Sequence, residues 1–350
     1  MSDVIVEVSG GIGRIVLNRP KAINALDHAM VREIAPALTQ WATDDDIDVV
    51  LLTGAGERGL CAGGDIVSIY HDAKEGGSAS KDFWRDEYIL NAAIARFPKP
   101  FVAVMDGIVM GGGVGLSAHS NTRIVTERSK IAMPEVGIGF VPDVGGTYLL
   151  SRAPGEIGTH FALTTARMNA ADAIASGFAD HYIPSDKLED FYSALATVSV
   201  GEAVSTFSEP APDSTVDQQD WIDTCYAGDD VQAIIDALAA SSVPQAQQAA
   251  KDIASKSPVA LAVTLRSLRR AATLPTLEAV LDDEYRVSVA SLSSHDLVEG
   301  IRAQVVEKDR NPQWQPSTLA EVTPEDVDRY FAPLGDAELG LSNAHREGEQ

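Results

Sequence analysis

The sequence is short of basic residues, cysteine and long apolar runs, and each shortage argues against a class of protein. Lysine and arginine number 27 against 51 aspartates and glutamates, so at a net charge of −24 phosphate surfaces would repel the chain. Cys61 and Cys225 have no paired spacing, which argues against a disulfide framework and a zinc site. No run approaches ~18 apolar residues, and the N-terminus lacks a signal-peptide pattern. We therefore expect a cytoplasmic protein with no nucleic-acid or membrane partner.

The order of predicted strands and helices indicates an α/β protein. "VIVEV" and "RIVLNR" flank the glycine turn "SGGIG", which predicts a β-hairpin. A helix capped by Asp27, "HAMVREIAPALTQWA", precedes the apolar strand "DVVLLTG", and further strands are "KPFVAVMDG", "TRIVTE" and "KIAMPE". Beyond the acidic segment "SEPAPDSTVDQQD" only helical patterns remain. At 350 residues and 45% hydrophobic content, the chain is long enough for one large domain and a smaller one.

Two glycine loops, "CAGGD" and "GGGVG", each follow a predicted strand. Because glycine lets a ligand approach the main chain, one N–H from each loop could form an oxyanion hole around a carbonyl oxygen. Tight turns are the alternative for both loops. "GVGLSA" also matches a dinucleotide-binding fingerprint, but the next strand follows too soon for a parallel crossover.

The stretch "MPEVGIGFVPDVGG" places Glu135 and Asp143 among glycines and prolines. One interpretation is a pair of carboxylates beside a carbonyl site, available as base, nucleophile or proton donor. The alternatives are a solvated surface acid at Glu135 and a helix cap at Asp143. Cys61 has no basic partner nearby in sequence, which favours a buried small hydrophobic residue over a nucleophile. The histidines show no ligand spacing, so no metal site is expected.

Four motifs carry a resemblance to a known family. "NRPKAINAL", "LCAGGDI", "GIVMGGGVGLSAHS" and "AMPEVGIGFVPDVGG" resemble the crotonase (enoyl-CoA hydratase/isomerase) superfamily. Within the superfamily the motifs most resemble its acyl-CoA hydrolases. The similarity to these hydrolases continues through "KSPVALAVTLRSLRRA" and "HDLVEGIRAQVVEKDRNPQWQP", and so covers most of the chain. It implies a crotonase-like spiral of ββα units over 1–200 and a helical C-terminal region over 221–335. Between and beyond them we expect an acidic connector over 201–220 and a frayed tail over 336–350.

The resemblance also implies catalytic roles. The N–H groups of Gly64 and Gly112 correspond to the superfamily's oxyanion hole, which holds the thioester oxygen of an acyl-CoA. Hydratases of the superfamily carry a catalytic glutamate where this chain has Gly115, and usually a glycine where it has Asp143. Glu135 together with Asp143 is the arrangement of the superfamily's hydrolases.

Substrate contacts and the reaction are implied in the same way. Glu87 in "WRDEYIL" falls where the hydrolases have a glutamate that contacts substrate, although an exposed helix acid is the alternative. The adenine end of CoA is expected near the main chain of "KAINAL" and of Ala62, Asp65 and Ile66.

The expected reaction is hydrolysis of a short-chain acyl-CoA thioester, most specifically 3-hydroxyisobutyryl-CoA in valine breakdown. CoA is then substrate, and no cofactor is expected. Enoyl-CoA hydration or isomerisation and non-catalytic acyl-CoA binding are the alternative functions, because fold does not fix function. A homo-oligomer stays open.

Overall fold

The computed structural model describes residues 2–216 and 220–342. Within these ranges the strands are β1 Val4–Ser9, β2 Ile12–Leu17, β3 Val49–Gly54, β4 Phe101–Met105, β5 Ile108–Met110, β6 Thr122–Val125, β7 Lys130–Ala132 and β8 His181–Tyr182. The helices are α1 His28–Trp41, α2 Ile66–Glu75, α3 Ala79–Ala95, α4 Gly112–Ser117, α5 Gly146–Leu150, α6 Ile157–Thr164, α7 Ala170–Ala175, α8 Leu188–Ala194, α9 Val200–Phe207, α10 Asp220–Tyr226, α11 Val231–Ala240, α12 Pro244–Ala254, α13 Pro258–Ala271, α14 Leu277–Ser291, α15 His295–Ile301 and α16 Pro324–Asp328. The predicted α/β class is confirmed.

The contacts divide the chain into two compact units, each assembled from separate segments. The first unit contains the described part of Met1–Gly64, together with Ile89–Ala132 and Arg167–Thr215. The second contains Asp65–Tyr88, Met133–Ala166 and the described part of Val216–Gln350. This division differs from a core over 1–200 followed by a helical region over 221–335, because Asp65–Tyr88 and Met133–Ala166 group with the C-terminal helices.

The first unit carries the strands. In its described residues, one sheet has the order β1-β2-β3-β4-β6-β8, and β5 pairs with β7 in a second sheet. The predicted hairpin is present, since β1 and β2 pair antiparallel from Val4↔Leu17 to Ser9↔Ile12. The other pairs are parallel. Only two residues separate β4 from β5, so the chain passes directly from one sheet to the other before it enters α4.

Two local features of the first unit follow from its sequence. The Asp27 side chain accepts a hydrogen bond from the Met30 amide and caps α1, as predicted. One cluster of buried apolar side chains joins alternate residues of the sheet, such as Val49 and Val102, to Phe191 of α8. Strands β3 and β4 are continuous apolar runs whose residues are nearly all buried, as is usual for central parallel strands that are covered on both faces.

The second unit is helical in its described residues. The rings of Trp84 and Phe140 stack with centroids 5.4 Å apart. In α14 three consecutive acids, Asp282, Asp283 and Glu284, are all buried. Each has polar partners: Arg270 pairs with Asp283, for example, at 2.6 Å. No helix among the described residues is long and apolar enough to cross a membrane.

Two predicted boundaries need correction. Helix α9 occupies the start of the predicted connector 201–220, because Ser199 and Glu202 form a capping box that begins a helix there. Residues 217–219 of that connector lie outside the described residues. The predicted frayed tail 336–350 is held at its start, since Asp282 accepts hydrogen bonds from the amides of Leu341 and Ser342. Residues 343–350 lie outside the described residues.

Candidate active site

The two predicted glycine loops lie side by side in the first unit. Single bridges link Gly59 to Gly107 and Cys61 to Val109. The Met110 amide donates to the Cys61 carbonyl oxygen at 3.0 Å. A Cβ atom at Gly113 would lie 2.6 Å from that same oxygen, closer than real Cβ contacts, so glycine at 113 permits the loops to approach each other. A structural role for these glycines and the predicted oxyanion hole are thus compatible.

The amides of Gly64 and Gly112 are the predicted oxyanion donors. Gly112 is the first residue of α4, where a helix has no internal acceptor for its N–H groups. In residues 2–216 and 220–342, neither amide donates a hydrogen bond to another backbone group. By contrast, the Ala62 amide donates to the Ile23 carbonyl oxygen at 2.9 Å and fixes the first loop. The two amides that the resemblance singles out are therefore unused by the backbone.

A cluster of buried carboxyl groups occupies the second unit. Glu87, Glu135, Asp143 and Glu284, here called the acid cluster, are between 2% and 5% exposed. Glu135 begins a 3-10 turn, Glu135–Ile138, and Glu87 lies within α3. The surface-acid interpretation of Glu135 and the exposed-acid interpretation of Glu87 are therefore wrong. Both side chains are removed from water: Glu87 lies on the buried face of α3, and the turn that begins at Glu135 is surrounded by apolar residues.

Asp143 is held by a chain of hydroxyl groups. Its Oδ2 atom accepts a hydrogen bond from the Tyr88 hydroxyl at 2.7 Å, and that hydroxyl lies 2.7 Å from Ser288 Oγ. The capping interpretation of Asp143 is wrong, because α5 has Gly145 at its N-cap and no side-chain cap. Burial raises the pKa of Asp143 to about 7, although the hydrogen bond from Tyr88 opposes this shift. Asp143 can therefore exchange a proton near neutral pH.

Glu135 and Glu87 each keep an oxygen atom without a protein partner. Within the described residues, Glu135 Oε2 and Glu87 Oε1 are buried and make no hydrogen bond. Burial, and then the charge of Asp143, raises the pKa of both carboxyl groups well above the usual range. Buried polar atoms normally have partners, so the two orphaned oxygens mark positions where a ligand could bind.

Sequence reasoning missed three members of this site: Tyr88, Glu284 and Ser288. Glu284 accepts hydrogen bonds from the Gly145 amide at 2.6 Å and from the Thr147 amide at 2.9 Å. Burial raises its pKa to about 8, against the opposing hydrogen bonds. The one available signal was the four-residue spacing of Glu284 and Ser288 on a predicted helix. That signal is outweighed because the charged sequence around Glu284, "LDDEYR", is typical of a solvent-exposed helix face.

The remaining predicted residues have mainly structural environments. The Asp65 side chain accepts a hydrogen bond from the Ser68 amide at 3.4 Å at the start of α2, and Ile66 is the first residue of that helix. Contacts of Ala62, Asp65 and Ile66 with CoA stay a prediction. Cys61 is fully buried, as expected of a small hydrophobic residue. Among the described residues, no group of three or more His, Cys, Asp and Glu side chains is placed to hold a metal ion.

Comparisons with known proteins agree with the motifs. A family model described as enoyl-CoA hydratase/isomerase matches residues 12–331. The mitochondrial 3-hydroxyisobutyryl-CoA hydrolase of Rattus norvegicus is 42% identical over 97% of this chain and 91% of its own length. The Homo sapiens protein of that name is 39% identical over 96% and 90%, respectively.

Solved structures share the fold over the same length. The crystal structure of a carnitinyl-CoA dehydratase from Mycobacterium thermoresistibile is 59% identical, with a TM-score of 0.95, over 97% of this chain and 99% of that one. That of an enoyl-CoA hydratase from Rhodobacter sphaeroides is 44% identical, with a TM-score of 0.91, over 97% and 99%. Fold similarity alone therefore does not separate hydrolase from hydratase.

Proposed function

The chain belongs to the enoyl-CoA hydratase/isomerase family, and from that premise we propose that it hydrolyses 3-hydroxyisobutyryl-CoA to 3-hydroxyisobutyrate and CoA. The relatives from rat and human carry this activity in their names and align over nearly the whole chain. The acyl-CoA is a substrate, and we propose no cofactor. The step fits valine degradation, and we propose a cytoplasmic location.

The observation that carries this proposal is the pairing of Glu135 with Asp143 in one buried acid cluster. Their carboxyl groups interact electrostatically, since the charge of Asp143 raises the pKa of Glu135. Gly115 supplies no carboxylate at the position where the family's hydratases carry their first catalytic glutamate, and it is buried inside α4. Adding water across a double bond requires proton delivery to carbon, for which a second acid at that position is an advantage. Thioester hydrolysis does not require that acid.

We assign the steps of the reaction as follows. The amides of Gly64 and Gly112 bind the thioester oxygen and stabilise its negative charge when the carbonyl carbon becomes tetrahedral. Glu135 acts on that carbon, either directly as nucleophile or through a water molecule that it deprotonates. If Glu135 attacks directly, the carbon–sulfur bond breaks to leave an acyl anhydride on Glu135, which water then hydrolyses to the free acid; if Glu135 deprotonates water, the new carbon–oxygen bond gives the acid at once. In both routes the leaving thiolate takes the proton that the water molecule releases. Because an ordinary thiol has a pKa near ~8.5, this departure needs little acid assistance.

Asp143 and Glu87 have supporting roles in the proposal. With its pKa raised to about 7, Asp143 can receive and return the proton that moves during the attack. The unpartnered Oε1 atom of Glu87 is a buried acceptor. It suits the hydroxyl group that distinguishes a 3-hydroxyacyl ester from a simple acyl ester, because leaving a buried acceptor unpaired costs free energy.

Hydration or dehydration is the second candidate function. It is favoured by the names of the two crystal structures, one a dehydratase and the other a hydratase. A thiol-release assay across short acyl-CoA esters separates the candidates, since only hydrolysis frees a thiol. We expect release to be fastest with 3-hydroxyisobutyryl-CoA. Absence of thiol release across the panel would refute the proposal.

A further inference from the structure

The turn that follows Asp143 has a strained backbone, and the side chain of Glu284 holds it in place through hydrogen bonds. Val144 has a φ of 53° and Gly145 a φ of 76°, so two consecutive residues adopt the left-handed conformation. For a β-branched residue such as valine this conformation is unfavourable, and it persists only where surrounding contacts impose it. Glu284 supplies such contacts directly after Val144, through the Gly145 amide, the Thr147 amide and Thr147 Oγ1 at 2.6, 2.9 and 2.5 Å.

The same helix also reaches the Asp143 side chain. Ser288 lies one turn after Glu284 on α14, and its hydroxyl is 2.7 Å from the hydroxyl of Tyr88. Tyr88 in turn donates to Asp143 Oδ2 at 2.7 Å. One face of α14 thus controls both the side chain of Asp143 and the backbone immediately after it.

We propose that Glu284 is a positioning residue, which holds the strained turn 144–147 and so fixes the carboxyl group of Asp143 for the reaction. The inference rests on the proposed hydrolysis, because it assigns Asp143 a catalytic role. Glu284 does not touch the substrate in this scheme. It acts through the backbone of Gly145 and Thr147.

Glu284 also influences the reaction electrostatically. The titratable groups that face it are Asp143, Glu135 and Tyr88, and its charge raises the pKa of Glu135 and of Tyr88. Its neighbour on α14, Asp283, is paired with Arg270 and Arg286. Removal of the Glu284 carboxylate should therefore lower the pKa of Glu135. Substitution of a residue with a purely structural role would leave that pKa unchanged.

The chain offers a matched control on the same helix. Asp282 is likewise buried and accepts two amides and one hydroxyl, from Leu341 and Ser342. Asp282→Asn should therefore disturb an equivalent hydrogen-bond set away from Asp143. It tests whether any loss in a Glu284 variant is merely lost stability.

The experiment measures kcat, KM and the pH profile of kcat/KM for thiol release from 3-hydroxyisobutyryl-CoA. We expect Glu284→Gln to lower kcat by about 10- to 100-fold, because small displacements of reacting groups carry losses of this size. KM should change little. The acid limb of the profile should move to lower pH, because the pKa of Glu135 falls when the charge of Glu284 is removed. Glu284→Asp keeps the charge but shortens the reach, so it should lower kcat and leave the acid limb in place. Asp282→Asn should keep the wild-type kcat and profile.

Two further measurements keep the inference testable on its own. If Glu284→Gln does not fold, Thr147→Val removes the Oγ1 hydrogen bond and should lower kcat several-fold. Amide hydrogen exchange at Gly145 and Thr147 should be faster in either variant, whether or not the wild type hydrolyses the ester. A wild type without thiol release would refute the proposed function, and unchanged exchange would refute the positioning role. Wild-type kcat and pH profile in Glu284→Gln would also overturn it.

Discussion

The Tyr88 hydroxyl donates a hydrogen bond to Asp143 Oδ2 across 2.7 Å, and it is the side-chain contact that counteracts the effect of burial on this acid. Tyr88→Phe removes the donor, so the pKa of Asp143 should rise above its value of about 7. A hydrogen bond to a charged group is worth enough to move the corresponding limb of the kcat/KM profile upward by roughly one unit. Ser288→Ala, which loosens Tyr88, should shift it less in the same direction. If the kcat/KM profile of Tyr88→Phe is unshifted, the titration of Asp143 does not govern the reaction and its assigned role is wrong.

Glu135 should carry the reaction itself. Glu135→Gln keeps the volume of the side chain and removes the basic carboxylate, so kcat should fall by about 10²- to 10⁴-fold. Binding of 3-hydroxyisobutyryl-CoA, measured by calorimetry on the inactive variant, should persist. Turnover close to that of the wild type would rule out the assigned role.

Glu135→Gln should also raise the free energy of unfolding, by an amount that increases as pH rises. Folding raises the pKa of Glu135 above 4.5, so the stability that its protonated form provides is present in acid and is lost as pH rises through the folded-state pKa. Glutamine does not titrate. The free energy of unfolding in urea, taken as variant minus wild type, should therefore increase from pH 5 to pH 8.5. Each unit of pKa difference between the folded and unfolded states corresponds to ~1.4 kcal/mol. An equal difference at both pH values would show that Glu135 titrates normally.

Gly112 is assigned through its amide, which only a backbone change can remove. Gly112→Pro deletes the N–H at the first position of α4, where proline is tolerated in helices. Loss of one oxyanion-hole donor should lower kcat by about 10²- to 10³-fold. The melting temperature of the variant provides the control for folding. A folded Gly112→Pro protein with wild-type turnover would refute the assignment.

Local features of this chain were predictable from sequence. The hairpin follows from alternating apolar residues around Gly10 and Gly11, and the start of α1 follows from the capping side chain of Asp27. The interpretation of Glu135 and Asp143 as site residues came from two acids on a glycine-rich loop, together with the family resemblance. In each case the signal lies within a few neighbouring residues.

Long-range features were not predictable in this way. Gly145 and Glu284 are 139 residues apart in sequence, and Tyr88 and Ser288 are 200 apart. In the local sequence, Tyr88, Glu284 and Ser288 each resemble an ordinary helix residue. Burial of four acids together also contradicts the usual preference of carboxylates for water, so composition and periodicity point away from it. The acid cluster depends on which segments the fold brings together.

The most direct test of hydrolysis uses the wild-type protein with two substrates in separate assays. Offered 3-hydroxyisobutyryl-CoA, it should release free CoA, which a thiol reagent detects. Offered crotonyl-CoA, it should leave the absorbance of the conjugated thioester nearly unchanged, because Gly115 supplies no second acid for hydration. Rapid loss of the crotonyl absorbance without thiol release from either ester would contradict the hydrolase assignment and establish a hydratase.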